Sequence, residues 1–206
     1  MRLPAVLILL FCLSAFISFP AWADEIDESD GSATSIMTPE KMVNAYYNRC
    51  LTTAFEDLAP ETRQEFCACT SAHVKEAAQK DILRESDLET MATGKGKPVD
   101  KTVLALKIMA PCMGAPMEEL EYNVCMGDVS FAHYFKTDDA YNATCHCVSQ
   151  GMGQFIGNYG GDLMAVLLKI DASYADDPTN SMRQSGQYVV ERGKLHNDCL
   201  NNFSGQ

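Results

Sequence analysis

The order of the cysteines is the feature that most constrains how this chain can fold. One of the nine cysteines, Cys12, lies in an apolar stretch near the N-terminus. The other eight form two series, each with a single cysteine, a Cys-x-Cys pair and a further single cysteine: Cys50, Cys67, Cys69 and Cys112, then Cys125, Cys145, Cys147 and Cys199. An even number of cysteines in an exported chain is typical of a disulfide framework. We therefore predict that these eight residues form disulfides.

Short motifs around the cysteines indicate an internal duplication. A Tyr-Asn-x-Cys motif ends at Cys50 and recurs at Cys125, and a Cys-x-Cys-x-Ser motif begins at Cys67 and recurs at Cys145. Four cysteines in the same order, together with two shared motifs, favour duplication over chance similarity in a cysteine-rich helical chain. The sequence therefore predicts two related halves.

Residues 1–23 have the pattern of a secretory signal peptide. Arg2 supplies a positive charge, residues 3–19 are almost wholly apolar, and Ala21-Trp22-Ala23 provides small residues for cleavage. A membrane anchor is the alternative, but the apolar run is short and is followed at once by this cleavage site. We predict a periplasmic or secreted protein, and the acidic sequence after the cleavage site favours a Gram-negative periplasm.

The predicted mature chain begins with an acidic tail and continues as helical sequence. Residues 24–37 hold five acidic residues and little apolar surface, which predicts a flexible tail. Beyond it, apolar residues recur every three or four positions, whereas the alternating pattern of strands is scarce. No later stretch is long and apolar enough to cross a membrane. We therefore predict an all-α bundle with a first helical half over 38–115 and a second over 116–206, each with four helices.

Capping and proline signals predict the helix boundaries. In the first half, the predicted helices begin at Pro39 after Thr38, at Pro60, at a capping box over 86–89 and near Asp100. The short helix after the capping box is predicted to end near Gly94. In the second half, helices are predicted from Pro116 to Phe135, from Asp138 or Asp139, from Asp162 to Ile170 and from Ser181 to Asn202. The glycines between 151 and 161 predict the end of one of these helices, with Gly153 and Gly157 allowing close packing.

Helix geometry restricts how the cysteines can pair. Residues i and i+2 of a helix are turned about 200° apart, which excludes a bond within either Cys-x-Cys pair. If each half closes on itself, its two single cysteines bond to the two members of its pair, and two pairings remain open. Depth along the hairpins does not choose between them, because the first hairpin favours Cys50 with Cys67 and the second favours Cys125 with Cys147.

Charge and the lack of familiar catalytic motifs limit the possible functions. The chain has 16 basic and 28 acidic residues, and loss of residues 1–23 takes its net charge from −12 to −13. Such a chain is unsuited to nucleic acid or to an anionic membrane surface, and it favours a basic partner. We assign no catalytic, cofactor-binding or metal-binding residues. The sequence predicts an exported, non-catalytic binding or interaction protein with a rigid, disulfide-linked helical surface.

Two alternative functions depend on reduced cysteines. A periplasmic copper-binding protein would use Cys145, His146 and Cys147, whose thiolates and imidazole suit Cu(I). A thiol-disulfide oxidoreductase would use one of the Cys-x-Cys pairs. Two histidines are predicted to have structural roles, because His73 and His196 each lie one helical turn from a cysteine and are expected to pack near disulfides.

Overall fold

Helices make up most of the described structure. A computed structural model describes residues 37–203, so the signal peptide predicted at 1–23 and the tail predicted at 24–37, except Met37, lie outside the described residues. Between residues 37 and 203 every regular element is helical and no strand occurs. The predicted all-α, disulfide-rich fold is confirmed. Met37 packs against a hydrophobic cluster and is therefore not part of an unpacked tail.

The first part of the chain contains three regular helices and one mixed helical segment. Their bounds are Pro39–Thr53 for α1, Pro60–Gln79 for α2 and Glu85–Thr93 for α3. The mixed segment consists of α4, Lys101–Val103, a π-helical stretch, Leu104–Met109, and a 3₁₀ turn, Ala110–Cys112. As predicted, α1 and α2 begin at prolines, and the Thr38 hydroxyl accepts a hydrogen bond from the Lys41 N–H at 3.4 Å.

The start of α3 differs from the prediction, whereas its end agrees. The predicted capping box over 86–89 is wrong, because the helix begins at Glu85 and the Asp87 carboxylate accepts the Arg84 N–H at 2.9 Å. The Arg84 guanidinium also donates to Asp87 and lowers the pKa of that carboxyl group. At the other end, Gly94 has a φ of +74°, the left-handed conformation that glycine adopts at helix C-termini.

The second part of the chain is divided differently from the prediction. Its helices are α5, Gly114–Gly127, α6, Val129–Ala132, α7, Asp138–Ile170, α8, Pro178–Gln184, and α9, Gly186–Phe203, with a 3₁₀ turn at Ala172–Ala175. The helix predicted to reach Phe135 ends at Gly127, because the Asp128 carboxylate accepts N–H groups that begin α6. The predicted final helix is interrupted at Ser185, whose hydroxyl accepts the Tyr188 N–H at 3.2 Å.

The longest helix, α7, runs for 33 residues through the glycines that were predicted to end a helix. The predicted break, and the new helix predicted at Asp162, are therefore wrong. A Cβ atom at Gly153 would lie 2.8 Å from Glu118 Cβ, and one at Gly160 would lie 2.9 Å from the Ala110 carbonyl oxygen. Each glycine costs about 1 kcal/mol in helix propensity. The close packing of α5 and the 3₁₀ turn against α7 explains why these positions hold glycine.

The core extends across the predicted boundary at residues 115 and 116. Its largest cluster combines Phe66 of α2 with Met117 of α5, Met152 of α7 and Tyr188 of α9. Residues 37–203 belong to one compact unit. Neither the division into halves nor their duplication is established by this packing, and both remain predictions from the cysteine order.

Candidate functional site

All eight cysteines of the described chain form disulfides. The four bonds join Cys50 with Cys67, Cys69 with Cys112, Cys125 with Cys145, and Cys147 with Cys199. The members of each Cys-x-Cys pair point to different partners, as the helical geometry requires. Each predicted half closes on itself and uses the same order of pairing. The four loops follow one another along the chain without overlapping.

The disulfide pairing in the second predicted half differs from the one that its hairpin favoured. The structure pairs Cys125 with Cys145, so the pairing with Cys147 that the spacing favoured is wrong. The Tyr141 hydroxyl donates a hydrogen bond to the Cys125 carbonyl and fixes how α7 meets the end of α5. Residues four apart share one face of a helix. Cys145, four residues after Tyr141, therefore faces Cys125.

The three residues of the copper hypothesis have separate neighbours. Cys145 and Cys147 belong to different disulfides, and the exposed His146 side chain stacks on Tyr122 with ring centroids 4.4 Å apart. Copper(I) binding needs thiolates, which these sulfur atoms can provide only after both bonds are reduced.

A second group of metal-ligand types lies between α2 and the 3₁₀ turn Ala110–Cys112. The sulfurs of Cys69 and Cys112 and a ring nitrogen of His73 lie within 4.8 Å of one another. Because the two sulfurs are bonded to each other, the group lacks thiolates. His73 thus lies beside a disulfide, as predicted from its spacing. His196 is half-buried and packs on Phe131, with ring centroids 4.9 Å apart.

A groove with an acidic lining lies between α2, α5 and α7, and we call it the acidic groove. It has a volume of about 280 Å³ and contains no lysine or arginine. Its lining residues are Thr62, Glu65, Ala115, Glu118, Glu119, Tyr122, His146 and Ser149. The stacked Tyr122 and His146 rings form an aromatic wall beside three carboxylates. Such a lining suits a cation with an aliphatic stem.

The three carboxylates of the acidic groove have different environments. Glu119 accepts the Ala59 backbone N–H at 2.7 Å, where it caps the beginning of α2. Glu65 and Glu118 form no salt bridge with any residue between 37 and 203. Two negative charges of the groove are therefore available to a ligand.

A second ionic cluster surrounds a buried carboxylate on α5. The Glu121 side chain is only 1% exposed and accepts hydrogen bonds from Arg192 Nε at 2.5 Å and from the Tyr188 hydroxyl at 2.8 Å. Arg183 Nη2 lies 3.4 Å from the carboxylate. Burial and the negative charge of Glu121 strongly raise the pKa of Tyr188, which keeps its hydroxyl protonated as a donor. We call these four residues the Glu121 cluster.

Sequence reasoning missed both ionic features. The Glu121 cluster joins residues that are 62 to 71 positions apart, a relation that no local pattern reveals. The sequence does contain one indication of the buried carboxylate: Glu121 lies four residues from both Met117 and Cys125, which are buried. An acidic residue in the apolar stripe of a helix indicates a buried charge with a partner.

Comparisons with known proteins give no identification. No match to the chain was found among protein-family models, curated proteins or solved structures. Among residues 37–203, no helix combines the length and apolar character needed to span a membrane.

Proposed function

We propose that the chain is an exported, non-catalytic binding protein whose acidic groove receives a cationic side chain of a protein or peptide partner. One observation carries the proposal. The two helices with Cys-x-Cys pairs, α2 and α7, both contribute lining residues to the groove. His146 lies between Cys145 and Cys147, so two disulfides hold the backbone on either side of it. A wall held in this way is preorganised for binding.

The chemistry of the groove favours a lysine or arginine side chain. Glu65 and Glu118 offer carboxylates for charge-assisted hydrogen bonds. The Tyr122 and His146 rings offer an aromatic surface to the aliphatic stem and to the cation itself. The net charge of −13 expected after loss of residues 1–23 draws basic partners towards the protein over longer distances.

Binding of a tetralysine peptide with a fluorescent label tests this proposal. Fluorescence anisotropy with the oxidised mature protein should detect binding that weakens as salt increases. Replacing both Glu65 and Glu118 with glutamine should weaken binding at least about tenfold, since two charged contacts are lost. A matched control replaces Glu56 with glutamine and Asp57 with asparagine, which removes the same charge from exposed positions outside the groove. Equal effects of the two double variants would contradict a groove-specific function.

Export and the two alternative functions are tested separately. N-terminal sequencing of the exported protein should begin at Asp24, and a retained Met1 would contradict export. Copper(I) binding needs free thiols, so thiol titration of the native protein distinguishes it from our proposal. A thiol-disulfide oxidoreductase would instead have a cysteine pair that cycles with glutathione at a mild potential. We expect no reactive thiols until the protein is reduced.

A further inference from the structure

We propose that the cavity next to the Glu121 cluster binds a small carboxylate that carries an apolar chain. The cavity has a volume of about 510 Å³ and lies between α5, α8 and α9. Its polar lining includes Glu121, Arg183, Arg192 and His196, and its apolar lining includes Val124 and Val189. This site is separate from the acidic groove, so the inference does not depend on the proposed function.

Two guanidinium groups in this cavity share a single buried carboxylate. Arg183 and Arg192 are 31% and 34% exposed and each reaches Glu121 through one nitrogen. A guanidinium has five N–H donors in a planar fork that matches carboxylate geometry. Most of these donors are therefore not used by Glu121. A second carboxylate between the two forks would add charge-assisted hydrogen bonds.

Two buried nitrogen atoms of the cavity have no hydrogen-bond partner among the described residues. They are Arg183 Nε and His196 Nε2. Both atoms are shielded from solvent, so a ligand in the open cavity would contact Arg183 and His196 through their other, partly exposed atoms. Burial and the nearby Arg192 lower the pKa of His196.

The other charged and apolar groups define the ligand further. Asp128 lies near Arg192 and His196, and hydrogen bonds from Ser130 and Phe131 lower the pKa of its carboxyl group. It therefore stays ionised and limits the cavity to ligands of low negative charge. Val124 and Val189 are 41% and 58% exposed at the cavity. They offer an apolar surface to a short aliphatic chain. A monocarboxylate with such a chain satisfies both parts of the lining.

Titration of the oxidised, isotope-labelled mature protein with hexanoate tests the inference by NMR. Hexanoate should shift the Nε–H signals of Arg183 and Arg192 and the His196 ring signals. Hexylammonium, which has the same chain and the opposite charge, should not shift them. Arg183→Gln should weaken hexanoate binding about tenfold, since a charge-assisted hydrogen bond is lost. Glu121 keeps its shorter contacts in this variant, so the protein should fold.

A matched control and two contrary outcomes make the test decisive. Lys194→Gln removes the same charge from an exposed position on α9 that is outside the cavity lining. It should leave hexanoate binding within about twofold, the scale of a screened surface charge. No shifts with hexanoate in the tens of millimolar, or equal weakening by the two variants, would overturn the inference. Binding of inorganic phosphate without binding of hexanoate would overturn the assignment to an apolar carboxylate.

Discussion

Glu121→Gln gives the sharpest test of how the interior of this protein is stabilised. The substitution keeps the size of the side chain and its contact with the Tyr188 hydroxyl, but it removes the negative charge. Arg183 and Arg192 would then face each other without the carboxylate between them. The expected loss of stability therefore measures the electrostatic role of Glu121 rather than its volume.

The magnitude follows from the burial of the three charged groups. Removing one partner of a buried ion pair costs about 3–5 kcal/mol. Here Glu121 is 1% exposed, whereas the arginines are 31% and 34% exposed and can regain contact with water. Because solvent screens them, we expect a smaller loss of about 2–3 kcal/mol. For a chain of this size, that corresponds to a fall in melting temperature of about 4–12 °C.

Urea denaturation of the oxidised protein, followed by circular dichroism, provides the assay. Glu118→Gln is the matched control, because it makes the same change on α5 at a carboxylate that forms no salt bridge with any residue between 37 and 203. It should change the free energy of unfolding by less than about 0.5 kcal/mol. The double variant Glu121→Gln, Arg192→Gln should lose less than the sum of the single losses. Equal stability of Glu121→Gln and Glu118→Gln, or strict additivity in the double variant, would refute the reasoning.

Three further predictions concern pH, the disulfides and helix packing. The pKa of His196 is lowered in the folded protein, so the unfolded chain binds a proton at this residue more readily and stability should fall as pH drops below about 6.5. His196→Gln should make stability depend less on pH, as measured by urea titrations at several pH values. Replacing Cys69 and Cys112 together with alanine removes a link across 43 positions and should lower the free energy of unfolding by about 4 kcal/mol in the same assay. A loss below about 1 kcal/mol would contradict this loop-entropy estimate. Gly160→Ala should cost about 1–3 kcal/mol because its Cβ would overlap a carbonyl oxygen, whereas Gly161→Ala meets no atom within 4 Å and should be neutral or stabilising.

Local signals account for the parts of the fold that the sequence could predict. Proline marks the beginning of α1 and α2, and Gly94 ends α3, because each of these residues restricts or permits particular backbone angles. The rule that residues i and i+2 diverge excluded bonds within the Cys-x-Cys pairs. These arguments need only the neighbouring residues and helix geometry.

Features that depend on tertiary contacts could not be predicted in the same way. The glycines of α7 lie inside a helix because α5 and the 3₁₀ turn approach it closely, a condition visible only in three dimensions. The pairing of Cys125 with Cys145 accompanies a hydrogen bond from Tyr141 of α7 to the Cys125 carbonyl, a contact between two helices that the sequence does not reveal. The acidic groove likewise combines residues from three helices that are distant in sequence.

The two ionic features have opposite character because α5 presents different faces to them. Glu118 and Tyr122 are four residues apart and line the acidic groove, whereas Glu121 and Cys125, also four apart, point into the interior. One residue along a helix turns the side chain by about 100°. A rotation of α5 by that amount would bring Tyr122 to the inward position of Glu121 and turn Glu121 away from the interior. The Cys125–Cys145 disulfide joins the inner face of α5 to α7 and opposes such a rotation. This bond therefore links the stability of the protein to the separation of its acidic groove from its buried ion cluster.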